Sequence, residues 1–247
     1  MAHGHLDYGL AAPSFYVFPI VNWEDYFMRQ GLIKTMDGKG DIIFFDSFEE
    51  GMSKWYQVTG DATNYIELSP DHARGGNWAL KFNVVDDYCI PSTHSCEAAA
   101  TIPIKTPGKY GVEANFVFYS DYYYWYVKLY YYARTKLYGF EVMFNPNTFD
   151  LYTFGPGGYY TSFAHLDDWP NEPNYYFNPV KLVVDLANLK YDKVTVLGET
   201  YDLSDRTPAV DTLRCSRAIQ PRFQYTYQSG TIYPSFLDDV IVTMNEP

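Results

Sequence analysis

The sequence predicts an all-β chain, an antiparallel two-sheet β-sandwich of jelly-roll type with an N-terminal extension. Three observations predict it. From Asp41 onward, apolar and polar residues alternate with a period of two. Glycine and proline separate these short runs, as turns require. No long stretch shows helical periodicity, and many short strands punctuated by turns argue for a sandwich. A length of 247 residues suits one large all-β unit.

Residues 1–40 stand apart. Pro13, Pro19, Gly31, Gly38 and Gly40 surround one short expected helix, Asn22 to Arg29. Asn22 would cap it, and Asp25 lies in its first turn, where acids are favoured. This segment is expected to be an arm, with residues 41–247 as the sandwich domain. Ile42 to Phe48 begins the strand series. Trp78 to Val85 follows, with Trp78, Leu80, Phe82 and Val84 on one face. Val112 to Tyr119 turns Val112, Ala114, Phe116 and Phe118 inward. Leu137 to Phe144 runs into the turn signal Asn145-Pro146-Asn147-Thr148, which Phe149 to Phe154 answers. Val180 to Leu186 and Tyr191 to Leu197 read as a hairpin. Phe223 to Tyr227 and Phe236 to Met244 close the chain.

The densest signal is YSDYYYWYVKLYYYAR, residues 119–134, in a chain that is 19% aromatic. Read as extended chain, it places Tyr123, Trp125, Val127, Leu129, Tyr131 and Ala133 on a core face. The other face carries Tyr122, Tyr124, Tyr126, Lys128, Tyr130, Tyr132 and Arg134. Broad rings with hydroxyl and charged tips suit a sugar platform or a protein interface. They also suit a face covered by loops or by the arm.

Charge narrows the partners. With 18 basic and 30 acidic residues the net charge is −12. This argues against nucleic acid as a partner, because phosphate binding needs clustered Lys and Arg, and here the basic residues are scattered. An anionic membrane surface is equally unsuited, and no apolar run is long enough for a membrane span. The opening MAHGHLDYGLAAPSFYVFPIV lacks the basic region of a secretory signal. Either the protein stays inside, or it leaves by lysis or a non-standard route, or the sequence is that of a mature form; an extracellular or virion-surface location is favoured over the cytoplasm. Cys89 and Cys96 bracket a short loop. Their spacing suits a disulfide ring worth about 2 kcal/mol as readily as two independent thiols. Cys215 is left over.

Four segments together resemble a family pattern. They are Asp46-Ser47-Phe48-Glu49-Glu50-Gly51 with Trp55, Ala73 to Lys81, Val180 to Leu186 followed by Tyr191, and Phe236-Leu237-Asp238-Asp239-Val240. This resembles carbohydrate-binding-module-like and concanavalin A-like β-sandwiches, over roughly residues 41 to 245. The resemblance implies a glycan partner. It also implies a structural calcium ion where opening and closing acids meet, which by position would be Glu49 or Glu50 and Asp238 or Asp239.

Signatures of catalysis are sparse. A glycoside hydrolase on this fold usually shows acids alternating along one strand, and no such run is present. Glu141 stands alone among apolar neighbours in FEVMF and is expected to be a buried or rim carboxylate. GxSxG, HExxH and phosphate-loop patterns are absent. Gly155-Pro156-Gly157-Gly158 reads as a turn without a following helix. The expected function is therefore a non-catalytic glycan-binding or adhesion module using Tyr122, Tyr124, Tyr126, Tyr130, Tyr132, Arg134 and Trp169. The alternative is a self-assembling structural subunit, a virion coat, fibre or decoration protein whose arm docks on a second copy of the chain. A polysaccharide hydrolase or lyase ranks behind both.

Overall fold

The structure is a computed structural model. It describes residues 35–59, 64–84, 95–117, 123–145, 147–167, 177–213, 215–227 and 234–247. The expected helix at Asn22–Arg29 lies outside them. Among the described residues every regular element is a strand, and no helix is long and apolar enough to cross a membrane.

The first strands are β1 (Asp41–Asp46), β2 (Tyr56–Thr59), β3 (Tyr65–Ser69), β4 (Ala79–Asn83), β5 (Ser95–Ala99) and β6 (Ile102–Pro103). The middle of the chain forms β7 (Lys109–Val117), β8 (Tyr123–Tyr132), β9 (Leu137–Asn145), β10 (Asp150–Phe154) and β11 (Tyr160–His165). The last part forms β12 (Phe177–Asp185), β13 (Lys190–Val196), β14 (Glu199–Asp202), β15 (Ala209–Asp211), β16 (Ala218–Tyr227) and β17 (Ser235–Met244).

These strands make two antiparallel sheets. One runs β14-β13-β12-β7-β17-β4-β3, with β1 also paired to β17. The other runs β11-β10-β9-β8-β16-β5-β2, with β15 paired to β9 and β6 to β16. The sheets face each other across one apolar core. Trp125 sits at its centre. Its ring lies 4.6 Å from Phe116 and 5.1 Å from Phe82, both on the opposite sheet. Its indole N–H donates to Ser235 Oγ at 3.1 Å, so the one polar atom of this ring is satisfied.

The period-two reading holds in β7, β8 and β9, whereas in β17 a bulge between Asp238 and Ile241 moves the core face from Leu237 to Val240 and Val242. Val112, Ala114 and Phe116 are buried, as are Trp125, Val127, Leu129 and Tyr131. Trp78 departs from it. It precedes β4 and is 38% exposed, because the segment before Ala79 follows a loop rather than the pleat. The short strands β2, β3, β5, β11, β14 and β15 were not anticipated. Several are polar or run along exposed edges, where alternation carries little signal: β11 is exposed or half-buried throughout.

Candidate functional site

The outer face of the second sheet is polar and aromatic. The alternation in β8 puts Tyr124, Tyr126, Lys128, Tyr130 and Tyr132 there, opposite the core face. Arg134 leaves this row. It is exposed on the β8–β9 turn with a φ of 62°. Tyr122 and Trp169 lie outside the described residues. Sheet register adds what one strand cannot show. Lys128 is directly opposite Glu141 on β9 and Arg222 on β16. Gln224 of β16 is opposite Glu97 of β5.

These side chains form one connected cluster. Glu141 accepts hydrogen bonds from the Tyr130 hydroxyl to Oε1 at 2.6 Å and from the Tyr160 hydroxyl to Oε2 at 2.9 Å. Lys128 Nζ lies 3.8 Å from Glu141 Oε2 and 3.3 Å from Glu97 Oε2, and it also donates to Gln224. Arg222 donates to Glu97 at 3.1 Å, to Gln220 and to the Tyr132 hydroxyl at 2.8 Å. Its guanidinium lies 4.1 Å from the Tyr130 ring centroid. Glu97, Lys128 and Glu141 are each at most 5% exposed. Their burial is matched by pairing, as buried charges require. Burial pushes the Tyr130 and Tyr160 phenols well up, and the Glu141 charge pushes them further. Both therefore remain protonated donors at neutral pH.

Glu141 and Tyr130 line an open cleft of about 370 Å³. Leu137, Gly139, Phe154, Gly157, Gly158 and the β15 residues Ala209 to Asp211 complete its lining. Two glycines shape it. A Cβ at Gly139 would come within 3.4 Å of the Tyr130 ring, so glycine lets that ring lie close over β9. Gly157 takes a φ of +87°, which folds the 155–158 turn over the cleft edge.

The cleft marks a change of partner along one edge of β9. Residues 142–145 pair with β10, and residues 137–139 pair with β15. Between them the β10 register, continued by one step, would set Phe154 against Glu141, but that pair does not form. The hydroxyl of Tyr191, from β13 of the opposite sheet, occupies the seam. It accepts the Glu141 N–H at 2.8 Å and donates to the Phe154 carbonyl at 2.7 Å.

Several expectations need revision. Glu141 is not an isolated rim acid. It is the most connected acid of the outer face, and its partners come from three other strands. The acids proposed for calcium do not fit a cation as they are placed. Glu49 accepts the backbone N–H groups of Asn77 and Trp78 and the Asn77 amide. Asp238 accepts those of Arg74, Gly75 and Asp239. Asp239 pairs with the Arg74 guanidinium at 2.7 Å, and Glu50 is exposed. Oxygens already facing N–H donors are poor ligands for an ion that takes six to eight of them. Among the described residues no group of three or more His, Cys, Asp or Glu is placed to hold a metal ion. Excess EGTA is therefore expected to leave the melting temperature unchanged. A drop of several degrees, reversed by added calcium, would restore the ion. Cys96 carries a free thiol, buried in the core from β5; Cys89 lies outside the described residues. With its side chain turned to the sandwich interior, Cys96 belongs to the core.

No protein-family model matches the chain, and no curated protein matches it. Solved structures do. An endo-β-1,4-glucuronan lyase from the fungus Trichoderma reesei aligns with a TM-score of 0.61 at 12% identity, over 83% of this chain and 96% of that one. A Bacillus licheniformis β-glucanase aligns with a TM-score of 0.51 at 12% identity, over 82% of this chain and 98% of that one. The fold is a concanavalin A-like β-sandwich. Identities this low establish the fold alone. The expectation of a non-catalytic module is overturned by what these sandwiches are: the lyase and the glucanase are both enzymes.

Proposed function

We propose that the protein cleaves glycosidic bonds of a polysaccharide in the Glu141 cleft, as a polysaccharide hydrolase or lyase. The observation that carries this reading is a deep carboxylate that lines a cleft and accepts two phenol hydrogens. Such a group is placed to take a proton while a neighbour gives one, which is general acid–base chemistry. The likeness to a lyase and a glucanase supports it at the level of fold.

Hydrolysis is one form this cleavage can take. A second acid, Asp211, lines the same cleft and is exposed. It pairs opposite Leu137, four residues from Glu141, or about 13 Å along the strand. That is wider than both spacings at which two carboxylates share a glycosidic bond, about 5–5.5 Å for direct attack and about 6.5–9.5 Å with a water between them. Strand spacing therefore does not make Asp211 the partner of Glu141. In hydrolysis Glu141 alone takes the proton of the water that attacks the anomeric carbon, and the departing oxygen is protonated from solvent in the open cleft. The charges agree with an uncharged substrate. Among the described residues the cleft lining holds two carboxylates and no basic side chain, while Lys128 and Arg222 are already paired with Glu97.

The ring of phenols favours a second form, elimination on a uronate chain. There Glu141 would take the proton beside the sugar carboxylate, and Tyr160 would give its own to the leaving oxygen. A panel of neutral and uronate polysaccharides separates the two. New reducing ends without ultraviolet absorbance identify hydrolysis. Absorbance from a new conjugated double bond identifies elimination. No cleavage of any chain would overturn both.

A further inference from the structure

We propose that Tyr191 is a positioning residue for Glu141, holding open the seam in which the carboxylate works; this rests on the cleavage reading above. Tyr191 lies on the sheet opposite the cleft and is 1% exposed. Its ring packs edge-on against Phe140 at 5.2 Å, which fixes the direction of the hydroxyl. That hydroxyl performs the work of a missing ladder rung. It takes the Glu141 N–H at 2.8 Å and supplies a hydrogen to the Phe154 carbonyl at 2.7 Å. Both groups are backbone, and both residues line the cleft.

The physical consequence follows from hydrogen-bond accounting. A direct rung would bring Glu141 and Phe154 together, continuing the register that pairs Met143 with Tyr152 and Val142 with Thr153. The interposed phenol keeps the two strands one hydroxyl further apart at this rung. With the phenol removed, the N–H and the carbonyl either remain unpaired or close onto each other. Either result moves the Glu141 main chain and narrows the gap between β9 and the end of β10. Tyr130 and Tyr160, fixed from other strands, would no longer meet both carboxylate oxygens at hydrogen-bond distance. Small displacements of this kind weigh on the chemical step more than on substrate affinity. Burial pushes the Tyr191 phenol up, so it remains a donor throughout the range of the assay.

The test is Tyr191→Phe, which removes one oxygen and keeps the ring. The full chain is assayed on the polysaccharide that the wild type cleaves, and exchange of the Glu141 amide is followed by NMR. The expected result is a kcat lower by on the order of 10–100-fold with KM within about twofold, together with faster exchange at Glu141. A purely structural phenol would lower the melting temperature and leave kcat unchanged. An unchanged kcat overturns the proposal whatever the exchange shows. So does a Y191F chain that does not fold, because the phenol would then be a determinant of the fold. If the wild type cleaves nothing, the cleavage reading fails by itself. Unchanged protection of the Glu141 amide in Y191F would then overturn the positioning role separately.

Discussion

Replacing Glu141 with glutamine is expected to lower polysaccharide cleavage by about 10²–10⁴-fold, with the sandwich still folded. The side chain is 5% exposed and bonded to Tyr130 and Tyr160. Glutamine has the same shape and keeps one oxygen for one of those hydroxyls. It cannot take a proton from water or from a sugar carbon. Lys128 loses one of its two carboxylates but keeps Glu97 at 3.3 Å and its bond to Gln224. The buried ammonium therefore keeps a charged partner, and a collapse of the fold is not expected. Circular dichroism and a melting curve check this beside the rate. A variant that folds and cleaves at the wild-type rate would remove Glu141 from the chemistry, and the cleavage reading with it.

Much of the scaffold was legible because alternation in a half-buried strand is a local property. The two faces of β8 follow from residues 123–132 alone, and the hairpin of β12 and β13 follows from two apolar runs around Ala187-Asn188-Leu189-Lys190. The site was much less legible, because its members are local to nothing. Glu141 appears solitary in FEVMF; Lys128, Tyr160 and Tyr130 reach it only once β8, β9 and β11 take their places in the sheet. A search for acids alternating on one strand passes over a carboxylate whose partners are phenols on other strands. Gly155-Pro156-Gly157-Gly158 shows itself as a turn by composition, but its place at the cleft edge depends on β15, a strand of three residues with little periodic signal. Tyr191 belonged to a recognised hairpin pattern, yet nothing in the string shows its hydroxyl crossing to the other sheet. Tyr124, Tyr126, Tyr130 and Tyr132 share one face of β8, as alternation predicts. Such a face reads as a platform when its centre is neutral, and register puts a carboxylate at the centre of this one.

Thermal stability is expected to fall as pH rises from about 5 to 8, the reverse of what salt-bridged carboxylates produce. Two buried acids cause this. Burial pushes Glu113 up to about 7, with the Asp37 and Glu246 charges adding to it against the Met36 N–H and Lys181. Burial, with the charge of Asp239, pushes Asp238 to about 7 as well. The unfolded chain releases these protons near pH 4, whereas the folded chain holds them until about 7. Between those limits the native state binds more protons, so each step up in pH favours unfolding. At about 1.4 kcal/mol per pKa unit, each group removes on the order of 3 kcal/mol by pH 8. Asp37 and Asp185 act oppositely and set the acid limit: their carboxyls are held low, Asp37 by Lys181 and Asp185 by Asn188, although burial opposes both. Their contribution is present above the usual aspartate range and is lost as pH falls below it, so the maximum is expected near pH 5. Glu113→Gln tests the assignment cleanly. Oε1 of Glu113 accepts the Met36 N–H at 2.7 Å, while its buried Oε2 has no hydrogen-bond partner among the described residues. Glutamine can keep the first contact, and at the second its amide stands where the protonated acid already holds an unpaired hydroxyl. The variant should melt close to wild type at pH 5 and several degrees above it at pH 8, with roughly half the slope between. A wild-type melting temperature that rises across this range, or an E113Q slope equal to that of wild type, would show that Glu113 is ionised in the folded chain.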